Sequence, residues 1–312
     1  MRVFIVGATG VLGRALLPFL LQTRKDLSMS DVKAVKHGFV ELPGARLYYE
    51  ISGEGNPVIF LHGGLLDRRM WDHQFSFFAQ HYQAIRYDMR GAGKSETVAS
   101  TEPYVPYQDL DHFLHGLNIQ RASLVGLSGG ARAAIDFAIA YPQQVQKLVL
   151  VSPGMSGYAF LDEWTHQRGK ALIEALSQRD LASAVEVFLI MWTDGPYRTP
   201  EQVNTVVRER IRTMVTHALP LSRLAPNFKE LEPPAVGRLS EIHAPTLVIL
   251  GEKDTSDIHA IGKLLHEQVA GSELVMIPDV GHTLVMEKPT EFNMLVAHFL
   301  PIQKLGVADE SI

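Results

Sequence analysis

Short apolar runs recur along most of the chain, and helical patterns separate most of them. The runs lie at residues 58–61, 84–87, 122–125, 148–151, 246–250 and 273–277. Runs of this length, bounded by turn residues, are typical of strands buried on both faces. Strands that alternate with helices predict an α/β fold with a mostly parallel sheet and helices on both faces. Ligands of such sheets bind at the carboxyl ends of the strands.

Two segments near the start of this region alternate between apolar and polar residues. Residues 38–42 and 46–52 flank the sequence Pro43-Gly44-Ala45. Alternation on both sides of a Pro-Gly turn predicts a β-hairpin.

The interval between residues 151 and 246 contains no strong strand pattern. Helical patterns cover residues 170–177, 181–192 and 201–217, and Gly-Pro, Thr-Pro and Pro-Pro pairs mark turns between them. We predict that residues 155–240 form a helical cap over the sheet, whereas residues 37–154 and 241–304 form the core domain.

Residues 1–36 read as a separate extension. A strand pattern at residues 2–6 is followed by glycines at positions 7, 10 and 13 and by a helical run at 14–21. This segment resembles the start of short-chain dehydrogenases and nucleotide-sugar epimerases, in which such a loop holds a dinucleotide pyrophosphate. That fold also needs an acidic residue after a second strand, about 20 residues on. No second strand precedes Asp26 or Asp31, so we interpret the extension as a Rossmann-like fragment without function.

Composition excludes several classes of function. The chain has 312 residues, of which 46% are hydrophobic and 20% charged, with a net charge of −5 and no cysteine. The negative charge disfavours nucleic acid and anionic membranes as partners, and the lack of cysteine excludes disulfides and thiolate chemistry. No apolar run reaches the roughly 18 residues of a membrane span. Arg14 interrupts the apolar N-terminus and no cleavage-site pattern follows, so a cytoplasmic location is expected.

The sequence Gly126-Leu127-Ser128-Gly129-Gly130 stands between an apolar run and a helical pattern. A serine on a tight strand-to-helix turn exposes its hydroxyl, and the crowded turn needs small neighbours. The pattern alone also suits an ordinary glycine-rich turn, so the interpretation depends on further residues.

A serine nucleophile needs a base, and the base needs an acidic partner that fixes its tautomer. Asp254 follows the run at 246–250, and His282 follows the run at 273–277. Both stand at strand carboxyl ends, on the edge that carries Ser128. Asp257 is the alternative acid. Of the 13 histidines, His62 belongs to a loop motif of its own, and among the others His282 is the one that stands after a strand with a glycine directly before it.

Acyl transfer also needs donors for an oxyanion. The backbone N–H of Gly129, directly after the serine, is one candidate. The loop His62-Gly63-Gly64-Leu65 follows an earlier strand. We assign the Gly64 N–H as the second donor, with Leu65 as the alternative, and expect His62 to brace the loop.

The sequence Gly91-Ala92-Gly93-Lys94-Ser95 ends like a phosphate-binding loop. That motif requires glycine at position 88, where the chain has Asp88. We therefore expect a structural turn after a strand.

These motifs, taken in order, resemble the α/β-hydrolase superfamily over residues 38–302. Within it the chain is most similar to small carboxylesterases and enol-lactonase-like hydrolases with a helical cap. The resemblance implies an α/β-hydrolase fold and a Ser128–Asp254–His282 triad with Gly64 and Gly129 as the oxyanion hole. It also implies a small-molecule ester or lactone as substrate and neither a cofactor nor a metal.

Three alternatives accompany this interpretation. The same triad supports cofactor-free perhydrolysis or haloperoxidase-like activity. A dehydrogenase would rest on the N-terminal glycines alone. A non-catalytic binding module would usually lack a triad member, and none is missing here. The oligomeric state stays open, and a homo-oligomer fits the sequence.

The sequence says less about which residues determine substrate specificity. Several large side chains suit either a pocket or the core: Met70, Trp71, Trp164, Met191, Trp192 and Tyr197. Arg68 and Arg69 follow the glycine loop and suit either a substrate carboxylate or a solvated turn, and we expect the solvated turn.

Met29 offers an alternative start, and we expect the functional enzyme to begin near it. Deletion of residues 1–28 should then leave hydrolytic activity within about twofold of the full chain, because no chemistry is assigned there. Activity of the two purified proteins at equal concentration checks this. A large loss on deletion would contradict it.

Overall fold

A single sheet organises the computed structural model, which describes residues 3–5, 33–98, 103–222 and 228–300. The strands of this described part are Val3–Ile5 (β1), Lys36–Leu42 (β2), Ala45–Ser52 (β3), Pro57–Leu61 (β4), Gln83–Tyr87 (β5), Glu96–Thr97 (β6), Ala122–Leu127 (β7), Val145–Val151 (β8), Thr246–Gly251 (β9) and Glu273–Ile277 (β10). The apolar runs that predicted strands are all strands, and the predicted hairpin is the antiparallel pair β2–β3.

The order of the strands explains where a ligand can bind. The sheet runs β1-β10-β9-β8-β7-β4-β5-β3-β2, with β6 beside β3. Strands β4, β5 and β7 to β10 are parallel, and β3 is antiparallel to its neighbours. After β4 the chain moves to β5 on one side and then returns to β7 on the other. The loops that leave β4 and β7 therefore diverge and open a crevice at the carboxyl edge.

Helices flank the sheet and fill the long connection after β8. They are Asp72–Phe78 (α1), Pro106–Gly116 (α2), Gly129–Ala140 (α3), Glu163–Ser177 (α4), Leu181–Leu189 (α5), Thr205–Ser222 (α6), Ser256–Gln268 (α7), Leu284–Glu287 (α8) and Pro289–Phe299 (α9). A π-helical turn, Ile190–Asp194, continues α5. The predicted mostly parallel sheet with helices on both faces is confirmed.

Two of the helices begin away from the predicted residues, because their caps decide the boundary. Helix α4 begins earlier, since the Asp162 carboxylate accepts the Thr165 amide at 2.8 Å. Helix α6 begins later, since the Asn204 side chain accepts the Val206 amide at 2.9 Å. Side-chain acceptors at this position satisfy the first free amides of a helix.

The sheet is buried on both faces, as its apolar runs require. Alternate residues of one strand enter different hydrophobic clusters: Phe60 belongs to one and Ile59 to the other, and both are fully buried. The same alternation holds for Ile249 and Val248 in β9. Because side chains alternate across a strand, each cluster fills one side of the sheet.

The segment between β8 and β9 is helical in its described part. It contains α4, α5, the π-helical turn and α6, and α5 packs against both other helices. The boundaries of a cap at residues 155 and 240 stay a prediction. Within the described residues, no helix is both long enough and apolar enough to cross a membrane.

The N-terminal strand joins the same sheet. Val3–Ile5 pairs in parallel with β10, with Phe4 opposite Val275. The glycine motif at residues 7–13, which suggested a dinucleotide fragment, lies outside the described residues.

Candidate active site

Ser128 occupies a sharp turn between β7 and α3. Its backbone has φ 54° and ψ −113°, a left-handed conformation that is uncommon for a residue with a side chain. The Ser128 N–H donates to the Val151 carbonyl at 3.0 Å, and the Ser128 carbonyl accepts the Arg132 and Gly154 amides. These bonds hold the strained conformation in place. The half-buried side chain lies at the carboxyl edge of the sheet.

Close backbone packing explains why residue 130, the second after Ser128, is a glycine. A Cβ on Gly130 would lie 2.4 Å from the Leu61 carbonyl oxygen, at the end of β4. A Cβ on Gly129 would meet nothing nearer than the Gly64 nitrogen, at 3.5 Å. The turn that carries Ser128 thus rests directly on the end of β4, and Gly129 lies close to the backbone of Gly64.

His282 and Asp254 form a buried pair at the ends of β10 and β9. The Nδ1 atom of His282 lies 2.9 Å from Oδ2 of Asp254, and the two residues are 5% and 1% exposed. Their loops approach so closely that a Cβ on Gly251 would lie 2.3 Å from the Gly281 oxygen. Since Asp254 is ionised, Nδ1 carries the proton and Nε2 is left as the basic nitrogen.

The electrostatics of Asp254 favour the charged form. Burial alone would raise the pKa of Asp254, but the positive charge that His282 carries when protonated, its hydrogen bond and the Thr255 amide outweigh burial and lower this pKa below its usual value. The Thr255 amide donates to Oδ1 at 2.8 Å. Asp254 is therefore a permanent acceptor for the imidazole ring.

The Nε2 atom of His282 is buried and makes no hydrogen bond within the described part of the chain. Ser128 Oγ is accordingly not bonded to it here, although both residues line one cavity. The Trp192 ring packs against the imidazole, with centroids 4.6 Å apart. In structures without ligand, hydrogen bonds between a nucleophile and its base are often long.

Asp257, the alternative acid, serves another segment. Its carboxylate accepts the Leu161 amide at 3.0 Å and the Asp162 amide at 2.9 Å. It therefore holds the chain that leads into α4 and is not bonded to His282.

The loop after β4 lies beside the serine turn. Gly64 and Leu65 both line the cavity, and Leu65 has a left-handed φ of 57°. His62 Nε2 accepts the Met89 amide at 2.9 Å, so Nδ1 carries the proton and donates to the Gly63 carbonyl at 2.8 Å. The expectation that His62 braces the loop is confirmed.

The phosphate-loop resemblance at residues 91–95 has a structural explanation. Asp88 accepts the Lys94 amide at 2.8 Å, and the Ser95 hydroxyl donates to the Asp88 carbonyl at 2.5 Å. A Cβ on Gly93 would lie 2.2 Å from the Asp88 carboxylate. The aspartate thus fills the space inside this turn, and the structural interpretation is confirmed.

The expectation for Arg68 was wrong. Its guanidinium is buried and forms ion pairs with Asp88 at 2.8 Å and Glu50 at 2.9 Å. Charged neighbours distant in sequence draw this side chain inward, which local composition could not reveal. Arg69 is partly exposed and pairs with Asp67 at 2.6 Å.

The cavity at Ser128 has a volume of about 460 Å³. Its walls are mainly apolar and combine the core with helices α4 and α5 and the π-helical turn; they include Leu127, Met155, Tyr158, Phe160, Leu172, Phe188, Trp192 and Ile258. Of the six candidate pocket residues, Trp192 lines this cavity. Trp71 and Met70 lie in the core, and Tyr197 is exposed.

A second cavity, of about 490 Å³, adjoins the first and was missed by the sequence analysis. Its walls come from distant segments, including Leu47, Tyr87, Tyr104 and Phe228. The two cavities share the following residues: Gly64, Leu65, Gly129 and Arg132. Ser128 and His282 line the first cavity but not the second.

Metal chemistry has no obvious site in the part of the chain that is described. No group of three or more His, Asp or Glu side chains there is arranged to hold a metal ion.

Comparison with known proteins agrees with this geometry. Residues 58–295 match the alpha/beta hydrolase family. The chain is 30% identical over 267 residues to a 2-hydroxy-6-oxononadienedioate/2-hydroxy-6-oxononatrienedioate hydrolase of Burkholderia vietnamiensis, covering 82% of this chain and 91% of the relative. The protein therefore belongs to the α/β-hydrolase family and is a hydrolase.

Two solved structures are similar over most of their length. Est816, described as an N-acyl homoserine lactone degrading enzyme, is 27% identical with a TM-score of 0.67, covering 84% of this chain and 100% of that one. A bromoperoxidase from Bacillus anthracis is 25% identical with a TM-score of 0.70, covering 85% and 99%.

The packing of the serine turn predicts different outcomes for two neighbouring glycines. Gly130→Ala should lower the free energy of unfolding by about 3 kcal/mol, because its methyl group would collide with the end of β4. Gly129→Ala should leave it unchanged or slightly raised, because the added methyl group would make only an ordinary van der Waals contact and alanine favours helix. Urea unfolding followed by circular dichroism measures both. Equal stability of the two variants would contradict the packing described.

Proposed function

We propose that the protein is a serine hydrolase that cleaves a carboxylic ester or lactone through an acyl-enzyme. The observation that carries the proposal is the buried His282–Asp254 pair, at 2.9 Å. His282 lines the same cavity as Ser128, and its Nε2 makes no hydrogen bond to any of the described residues. A neutral imidazole with one fixed tautomer is the base that a serine hydroxyl requires.

In the acylation step, Ser128 Oγ forms a bond to the substrate carbonyl carbon while its proton passes to His282 Nε2. The carbonyl oxygen becomes an oxyanion, for which the N–H groups of Gly64 and Gly129 are the donors. The ester C–O bond then breaks. The departing alkoxide takes the proton from His282, and the acyl group stays on Ser128.

Deacylation repeats the sequence with water. His282 accepts a proton from water as the water oxygen attacks the acyl carbon, and the bond to Ser128 Oγ breaks as that oxygen regains a proton. The carboxylic acid leaves. Asp254 stays ionised throughout and stabilises the imidazolium in each step.

An ester or lactone suits the cavity. The walls at Ser128 are mainly apolar, as expected for a small substrate held largely by shape, with a few polar groups that fix its orientation. Est816, whose described substrate is a lactone, shares the fold over nearly the same residues.

Covalent labelling tests the nucleophile. Intact protein should react one-to-one with a fluorophosphonate probe, and Ser128→Ala should lose both the label and at least about 1000-fold of ester turnover, because no other nucleophile replaces it. Mass spectrometry of the labelled protein locates the adduct. Circular dichroism shows whether the variant is folded. A folded Ser128→Ala protein with turnover within tenfold of wild type would refute the assignment.

Two aspartates three residues apart in the sequence test the identity of the acidic partner. Asp254→Asn should lower kcat/KM by about 10³ to 10⁴-fold, because the amide cannot hold the required tautomer. Asp257→Asn, the matched control, should stay within tenfold, since its neighbours are backbone amides that the asparagine oxygen can still accept. Steady-state hydrolysis of one ester compares both. The reverse ranking would assign the role to Asp257.

A second candidate reaction is hydrolytic cleavage of the carbon–carbon bond next to a ketone carbonyl. The Burkholderia relative is named for a 2-hydroxy-6-oxo substrate, whose reacting carbonyl is a ketone, so that its hydrolysis breaks a carbon–carbon bond. The same nucleophile, base and oxyanion donors can serve that reaction. Assay of an ester, a lactone and such a dienedioate with one enzyme sample ranks the reactions by kcat/KM.

The remaining alternative is that hydrogen peroxide replaces water in the deacylation step. The bromoperoxidase neighbour shares the fold, and hydrogen peroxide in place of water would convert the acyl-enzyme to a peroxy acid. Halogenation that requires both peroxide and a carboxylic acid would reveal it.

A further inference from the structure

Arg132 lies at the junction of the two cavities. It follows Ser128 by one turn of α3, and its amide donates to the Ser128 carbonyl at 3.0 Å. Arg132 lines both the cavity that holds Ser128 and the adjoining one. It therefore contributes a positively charged residue to the walls of both cavities.

The guanidinium of Arg132 is weakly engaged in the described part of the chain. One nitrogen donates to Glu230 Oε1 at 3.3 Å, and the plane covers the Phe228 ring at 4.2 Å from its centroid. Charge-assisted hydrogen bonds usually measure about 2.7–2.9 Å. Glu230 also accepts the Gly157 amide at 3.0 Å, so its carboxylate is divided between two donors.

The other arginine of the second cavity is fully engaged and provides a contrast. Arg90 binds Asp109 through two nitrogens, both at 2.8 Å, and also donates to the Pro43 carbonyl. Such bidentate pairing leaves little capacity for a ligand. Arg132 is therefore the cation of this cavity that can take a further acceptor.

The arrangement of the two cavities indicates which part of a substrate reaches Arg132. His282 must protonate the departing alcohol, and His282 lines the first cavity alone. The donors Gly64 and Gly129 border both cavities, so a carbonyl oxygen there lies at their junction. The leaving group therefore occupies the first cavity, and the acyl chain extends toward the second.

We infer that Arg132 is a specificity-determining residue that binds a carboxylate at the far end of the substrate's acyl chain. The substrate class is then a monoester of a dicarboxylic acid, or a lactone whose acyl chain carries a second carboxylate. This inference rests on the proposed function, since it requires an acyl group on Ser128. The long contact to Glu230 is exchanged for a charge-assisted one to the substrate, which supplies the preference.

Matched esters test the inference on the full chain. The probes are monoethyl esters of succinate, glutarate and adipate, compared with ethyl esters of the neutral acids of equal chain length. Hydrolysis is monitored by titration of the released acid. The measured quantity is the ratio of kcat/KM for the anionic ester to kcat/KM for the neutral one. Carboxymethyl butyrate, with its carboxylate on the leaving group, reports the opposite placement.

Arg132→Gln should lower the ratio about 10- to 100-fold, the size of one lost charge-assisted hydrogen bond. Glu230→Gln should raise it, because the competing carboxylate is removed while an oxygen remains for the Gly157 amide. Arg121→Gln, the control, removes an exposed positive charge just before β7, at the opposite end of the strand from Ser128, and should leave the ratio unchanged. Carboxymethyl butyrate should not respond to Arg132→Gln.

An unchanged ratio in folded Arg132→Gln, or a loss confined to carboxymethyl butyrate, would overturn the inference. If that variant does not fold, an unchanged ratio in Glu230→Gln overturns it instead. Neutral-ester turnover and fluorophosphonate labelling of wild type report separately on the proposed function. A wild type that labels and cleaves neutral esters, without any dependence of the ratio on Arg132 or Glu230, would refute this inference and leave the triad standing.

Discussion

The close contact between the serine turn and the end of β4 is the constraint on which the rest of the site depends. Ser128 adopts a left-handed backbone that a side chain disfavours, and its hydrogen bonds to Val151, Arg132 and Gly154 compensate for the strain. Gly130 lets the turn press against the Leu61 carbonyl. Because β4 and β7 are neighbours in the sheet, this one contact places the serine, the Gly129 amide and the glycine loop together.

The buried pair of His282 and Asp254 depends on the same kind of approach. Two loops, from strands adjacent in the sheet, pack backbone to backbone at Gly251 and Gly281. A carboxylate that is 1% exposed would be costly alone, yet the imidazole and the Thr255 amide lower the pKa of Asp254 and keep it ionised. Burial then works in favour of the pair, since low polarity strengthens the attraction between the aspartate and a protonated imidazole.

The helical segment between β8 and β9 completes the surroundings of the serine. Phe188 and Trp192 come from one helix and its π-helical continuation, and Trp192 packs on the His282 ring. Asp257 anchors the entry to this segment by accepting the Leu161 and Asp162 amides. The core thus carries Ser128, Asp254 and His282, and the helices between β8 and β9 supply much of the apolar wall.

The sequence by itself determined the strands, their parallel arrangement and the residues at their carboxyl ends, because apolar runs and glycine turns are local signals that a buried sheet requires. Ser128, Asp254 and His282 could be chosen in this way, since each stands a few residues after such a run. Helix boundaries at Asp162 and Asn204 depended on capping bonds that periodicity does not report. Only the tertiary structure decided that Arg68 is buried between Glu50 and Asp88, that Val3–Ile5 pairs with β10, and that Arg132 borders a second cavity. Each of these rests on contacts between residues far apart in the chain, and long-range packing leaves no trace in the spacing of residues along it.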